Sequence, residues 1–88
     1  MLASDQHHLS RRFSTSGTDK FDGVQLLPGD LPLLEGAVAQ LVCRRTQRID
    51  AGDHVLFLGE IESYAAPGGE PLVFHSGFYR VATKHPDL

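Results

Sequence analysis

Residues Asp50-Ala51-Gly52-Asp53 spell a turn, and strand-compatible text stands on both sides of it. Asp favours local side-chain to backbone hydrogen bonds, and Gly accepts the positive φ that tight turns demand. Before the turn runs Ala37-Val38-Ala39-Gln40-Leu41-Val42-Cys43, a short apolar stretch whose Ala and Leu also permit a helix. After it runs His54 to Tyr64, with Val55, Phe57 and Ile61 pointing one way and Leu56, Leu58 and Glu60 the other. A second turn signal, Pro67-Gly68-Gly69-Glu70, leads into Pro71-Leu72-Val73-Phe74-His75. Phe78 to Ala82 continues that run past Gly77, where a glycine predicts a bulge or a close approach of another backbone or a ligand. The expectation is a three-stranded antiparallel meander. Three strands do not close a barrel, and an open sheet leaves two edges without hydrogen-bond partners. Such a sheet is incomplete unless something pairs with it.

The first third of the chain is organised differently. Ser4-Asp5 reads as a helix start, because either side chain can accept a hydrogen bond from the open N–H groups. Leu9 and Phe13 lie four apart and share a face, while His7, His8, Arg11 and Arg12 fall largely on the others. Ser14-Thr15-Ser16-Gly17-Thr18 ends the helix, and Asp19-Lys20-Phe21-Asp22-Gly23 reads as a turn or a single helical turn. Pro28-Gly29-Asp30 and Pro32 break residues 24–34 into an irregular arm, with Leu26, Leu27, Leu31, Leu33 and Leu34 packed down. The fold class expected is mainly β: one short helix, an arm, then the antiparallel meander.

Eighty-eight residues hold one small domain, and a chain of that size buries only a modest fraction of its surface. A hydrophobic content of 41% places it among folded rather than disordered chains. Eight basic residues against eleven acidic ones give −3, which argues against a nucleic-acid partner. The local cluster Arg44-Arg45 and Arg48 is followed at once by Asp50 and Asp53. Cys43 is the one cysteine, too few for an internal disulfide or a zinc site, and inside an apolar run it reads as a buried structural thiol. No apolar stretch approaches the roughly 20 residues that cross a bilayer, and no apolar segment follows a basic patch at the N-terminus. A cytoplasmic setting without a membrane partner is expected. His7 and His8 diverge by about 100° on a helix, so they do not form a chelating pair, and no metal is expected. No Gly-rich phosphate loop stands ahead of a helix, which excludes Rossmann and P-loop readings.

Five pieces of text occur in one order: Leu9-Ser10-Arg11-Arg12-Phe13, Asp19-Lys20-Phe21, Leu33-Leu34-Glu35-Gly36-Ala37, Gly52-Asp53-His54 with Gly59-Glu60, and Pro71-Leu72-Val73 with Gly77-Phe78-Tyr79-Arg80. In that order the chain resembles the flavin reductase-like family, the short reductase components of two-component flavin monooxygenases. The reductases of 4-hydroxyphenylacetate and styrene monooxygenases belong to it. The resemblance implies part of an FMN-binding split β-barrel, in a family of homodimers with flavin near the subunit interface. Family members are near twice this length, and their N-terminal half supplies the first barrel strands and a Ser/Thr-rich segment that holds much of the flavin. Residues 1–88 would then be a single partial domain, the C-terminal half.

The activity implied is NAD(P)H-dependent reduction of FMN or FAD by hydride transfer, with reduced flavin diffusing to a flavin-dependent monooxygenase. The cofactors carry that chemistry and the protein orients them. The resemblance assigns Gly52, Asp53 and His54 to NAD(P)H binding, with His54 as the residue closest to catalysis. Asp53 fixes the imidazole tautomer in that picture, or simply closes the turn. Tyr79 contacts the nicotinamide or flavin edge, or else sits in the barrel wall with its hydroxyl at the rim. Arg80 has a plain salt bridge as its alternative. Flavin phosphate calls for positive charge, and Lys20 with Phe21, Arg11 and Arg12 are the candidates. A solvated helix face explains Arg11 and Arg12 equally well. Two alternatives stay open: a truncated half-domain without catalysis, and a split-barrel FMN-binding protein without reductase activity.

Overall fold

A computed structural model describes residues Met1–Leu88. Strand β1 (Gln40–Ala51) and strand β2 (His54–Ala65) form one long antiparallel hairpin. Its turn is the pair Gly52-Asp53, with Ala51 opposite His54. Gly52 takes φ +63° while Asp53 stays at negative φ, the pattern of a II′ turn, whose twist matches that of the flanking strands. The polar text Arg44-Arg45-Thr46-Gln47-Arg48, which follows the apolar run, belongs to β1 because the strand is open to solvent. Two register shifts leave Thr46 on β1 and Glu62 on β2 without partners, and such bulges sharpen the twist. The order of pairing puts Cys43, Arg45, Arg48, Val55, Phe57, Ile61 and Tyr64 on one face, here called aromatic. Val42, Arg44, Ile49, His54, Leu56, Leu58 and Glu60 share the other, aliphatic face.

The third expected strand is a second hairpin. Strand β3 (Leu72–His75) pairs with β4 (Phe78–Val81) across Ser76-Gly77. Both turn residues have positive φ, +52° and +80°, which is a I′ turn and reverses the chain. Gly77 therefore makes a turn and not a bulge. The chain is mainly β and antiparallel, with one short helix ahead of the strands. It holds two separate two-stranded sheets rather than one meander of three. The reason lies in Pro67-Gly68-Gly69, which carries the chain away from β2. The residues entering β3 pair instead with the N-terminus: the Leu72 N–H donates to the Leu2 carbonyl, and the Ser4 N–H donates to the Glu70 carbonyl.

A single 3₁₀ turn (Ser4–Gln6) opens helix α1 (His7–Ser14). Neither Ser4 nor Asp5 caps it with a side chain, contrary to expectation. Gln6 does the capping: its Oε1 accepts the Ala3 N–H at 2.9 Å, and its Nε2 donates to the Glu35 carbonyl at 2.8 Å. The helix ends where Thr15 donates its N–H to the Arg12 carbonyl and its hydroxyl to that of Arg11. No helix is long and apolar enough to cross a membrane.

Only Gln6, Leu9, Ala37 and Val38 are buried, so the core is one small patch between the helix, the arm and the base of the first hairpin. Leu27, Leu33 and Leu34 are half-buried there, but Leu26 and Leu31 face solvent. Cys43 is exposed as well, because the face of the hairpin that carries it has nothing packed on it. The accessible surface is 7116 Å², against about 5,100 Å² for a folded monomer of this mass. The radius of gyration is 15.1 Å, where about 12 Å is ordinary for this length. Both excesses come from hairpins that stand away from the core.

Gln6→Ala leaves the Ala3 N–H and the Glu35 carbonyl without partners and is expected to cost about 1–3 kcal/mol in urea unfolding. Ser76→Asn supplies the residue that a I′ turn prefers ahead of glycine. It is expected to gain about 0.5–1 kcal/mol in the same assay.

Candidate active site

Gly52, Asp53 and His54 stand together at the tip of the long hairpin. The II′ turn places the Asp53 and His54 side chains side by side, and His54 Nδ1–H donates to Asp53 Oδ1 at 2.7 Å. A carboxylate can only accept, so this contact puts the proton on Nδ1 and turns Nε2 outward. In the neutral ring Nε2 is an acceptor, suited to an amide NH₂. In the charged ring it is a donor, suited to a carbonyl or a phosphate oxygen. Asp53 lies within hydrogen-bonding distance of the ring and also closes the turn. Both side chains are largely exposed, so the tip is open to a ligand.

The other candidates gather elsewhere, around α1. Tyr79 on β4 donates its hydroxyl to Ser10 Oγ at 3.0 Å, and the Arg11 guanidinium lies 5.5 Å from the centre of its ring. His7 packs on the same ring at 6.0 Å and Phe74 at 5.4 Å. Tyr79 is thus the strut between helix and second hairpin. Arg11 makes no hydrogen bond through its guanidinium, which leaves its donors free. Arg12 donates to the Asp22 carbonyl, and Lys20 Nζ returns to the Arg12 carbonyl and to Thr18 Oγ1, both at 3.1 Å. Phe21 meets Phe13 edge to face at 5.2 Å. The Asp19-Lys20-Phe21 turn is therefore folded back on the C-terminal end of α1. There the ammonium shares the Arg12 carbonyl with the Thr15 N–H, a favourable place for a cation at a helix C-terminus. Arg80 forms no ion pair and stacks on Phe78 at 5.7 Å.

Arg11 with Tyr79, and Arg12 with Lys20, are brought together. The tip is not joined to them by any hydrogen bond, ion pair or ring contact. Sequence reasoning passed over Ser10 and His7, which touch Tyr79, and His8. The last lines a cleft of about 210 Å³ with Arg12, Gln25 and Glu35. The signal was available: His7, Ser10 and Arg11 follow the helical spacing i, i+3, i+4 and so share a face. Tyr79→Phe removes the hydroxyl that reaches Ser10 and is expected to cost about 1 kcal/mol in thermal or urea unfolding.

The flavin reductase like domain matches residues 1–83. The chain is 37% identical over 81 residues to FMN reductase (NADH) SmoA of Agrobacterium fabrum, covering 90% of this chain and 46% of that protein. The structure of nitrilotriacetate monooxygenase component B from Mycobacterium thermoresistibile superposes with a TM-score of 0.82 at 31% identity, over 94% of this chain and 49% of that one. The NADH:FAD oxidoreductase of Streptomyces globisporus, in complex with NAD and FAD fragments, gives 0.82 at 34% identity, over 99% and 54%. The fold is a stretch of the split β-barrel, and the chain spans about half the length of the relatives it matches. By the match over residues 1–83, the chain belongs to the flavin reductase-like domain family.

Proposed function

We propose that these residues are part of an NAD(P)H-dependent flavin reductase, which reduces FMN or FAD and releases the reduced flavin to a flavin-dependent monooxygenase. The observation that carries the reading is the Asp53–His54 contact, which pairs an imidazole with a carboxylate at the exposed tip of the hairpin. An FMN reductase using NADH and an NADH:FAD oxidoreductase among the relatives support both flavins and NADH. A monooxygenase component among the neighbours supports the oxygenase partner.

The side chains present fit these ligands. His54 Nε2 is free to meet the carboxamide or a phosphate of the nicotinamide nucleotide, with Gly52 allowing close approach of the backbone. Arg11 has free donors for a flavin phosphate, and Lys20 and Arg12 add positive charge nearby. Tyr79 offers a ring edge beside Arg11, and Phe21 an apolar contact. The nicotinamide supplies the hydride that the flavin accepts. The chain's share is to bind and align the two. In the family, the N-terminal half of the domain supplies the first barrel strands and holds much of the flavin, and residues 1–88 contribute the rest of the site. The functional unit is a homodimer in the cytoplasm, and the separation of the tip from the α1 cluster favours a site completed by more than this one stretch of chain.

The test is NADH oxidation that depends on added FMN or FAD. His54→Ala is expected to raise the NADH KM about tenfold, the equivalent of one hydrogen bond. An unchanged KM removes His54 from the site. No flavin-dependent oxidation at all, with the chain folded, favours the non-catalytic half-domain.

A further inference from the structure

We propose that His7, Ser10 and Arg11 form a three-donor site for a phosphate ester on one face of α1, and that Tyr79 is its positioning residue. On the flavin-reductase reading, on which this rests, the group recognised is the phosphate that FMN and FAD share and riboflavin lacks.

The three side chains meet at one ring. The Arg11 guanidinium lies 5.5 Å from the centre of the Tyr79 ring, and the His7 ring lies 6.0 Å from it. The Tyr79 hydroxyl is 3.0 Å from Ser10 Oγ. Helical spacing keeps all three on one side of α1. The ring itself is held twice, by its bond to Ser10 and by the edge contact with Phe74 at 5.4 Å. A planar guanidinium stacked on a fixed ring is already oriented, and it loses less freedom when it binds than a free cation does.

What this face has left over is hydrogen-bond donors. Two hydroxyls carry two hydrogens. The Tyr79–Ser10 bond uses one and leaves the other to donate outward, whichever of the two hydroxyls gives it. An imidazole donates through at least one ring nitrogen in either protonation state, so His7 adds a second donor. Arg11 adds the fork of its guanidinium. The ion pairs of the chain, Arg44–Glu60, Arg48–Asp50 and Asp53–His54, all lie on the long hairpin. The neighbouring cations Arg12 and Lys20 are spent on carbonyls. In a chain of net charge −3, Arg11 thus keeps an open charge beside two neutral donors. A phosphate ester accepts through several oxygens and suits a fork with two single donors around it. The phosphate is also the end of a flavin remote from the ring that takes the hydride. Its site has no need to touch His54 at the hairpin tip.

The test is binding of FMN and of riboflavin to the full 88-residue chain, read by flavin fluorescence without NADH. FMN is expected to bind about tenfold more tightly. Arg11→Gln and Ser10→Ala are each expected to bring FMN toward the riboflavin affinity, with riboflavin unchanged. Tyr79→Phe keeps the ring under the guanidinium and is expected to keep most of the preference, whereas Tyr79→Leu is expected to lose it. Equal affinities in the wild type overturn the proposal. A Tyr79→Leu chain that weakens both flavins alike makes Tyr79 a strut only and overturns its positioning role. A chain that binds neither flavin counts against the flavin reading, and inorganic phosphate then decides the site. A saturable shift of the Arg11 side-chain and Ser10 amide NMR signals, against chloride at equal ionic strength, sustains it. Signals that do not move overturn it.

Discussion

The fold hangs on the Gln6 amide. One side chain joins the start of the helix, at Ala3, to the arm, at Glu35, and it lies among the few buried residues of the chain. The extended residues just before it finish the connection. Met1 accepts from Val38 at the base of the first hairpin, while Leu2 and Ser4 bond to Leu72 and Glu70 at the entry of the second. A core of Leu9, Ala37 and Val38 is too small to set register by packing alone. Directional hydrogen bonds from a short N-terminal segment set it instead. That segment is the piece through which the two sheets, which share no ladder, keep a fixed relation.

This arrangement explains why the second hairpin ends against α1. Once Leu2–Ser4 pair with residues 70–72, β3 is committed to run beside the helix, and β4 folds back with Tyr79 over Ser10 and Arg11. The Arg11–Tyr79 contact is therefore a consequence of the N-terminal pairing and not of local sequence. The same holds for Lys20. Its loop returns to the helix end, where the ammonium is a second donor to the Arg12 carbonyl beside the Thr15 N–H. Residues with a candidate ligand role are also parts of the scaffold here, which holds their positions fixed without a large core.

Much of this was legible in the sequence and some was not, for definable reasons. The turn at Gly52-Asp53, the facing of Val55 and Phe57, the helix end after Ser14 and the mainly β class all follow from local rules, and the structure has them. The strand through Arg44–Arg48 was hidden because charged text in an open strand lacks the alternation that one buried face imposes. Gly77 was misread because one glycine is compatible with a bulge or with a turn, and only the positive φ of Ser76 beside it decides. Cys43 was misread because burial statistics describe finished domains, and its face of the hairpin is uncovered here. Among the candidate residues, the Asp53–His54 contact could be foreseen because the two are neighbours. The gathering of His7, Ser10 and Arg11 around Tyr79 depends on residues some 70 positions apart, joined by a single hydrogen bond of |i−j| = 69.

A long hairpin bare on both faces is a costly object on its own, since it exposes Leu56, Phe57, Leu58 and Ile61 to water together. Its length makes sense if covering it and completing the site are one event. His54 sits where the hairpin ends, at the edge of the aliphatic face, with its side chain largely exposed. Whatever covers the hairpin brings its own groups to that edge. The imidazole, hydrogen-bonded to Asp53 but otherwise exposed, would then gain a wall beside it. Oriented hydrogen bonds have most effect where water is excluded, so a covered hairpin is where the Asp53–His54 contact would count for more than it does at an exposed tip.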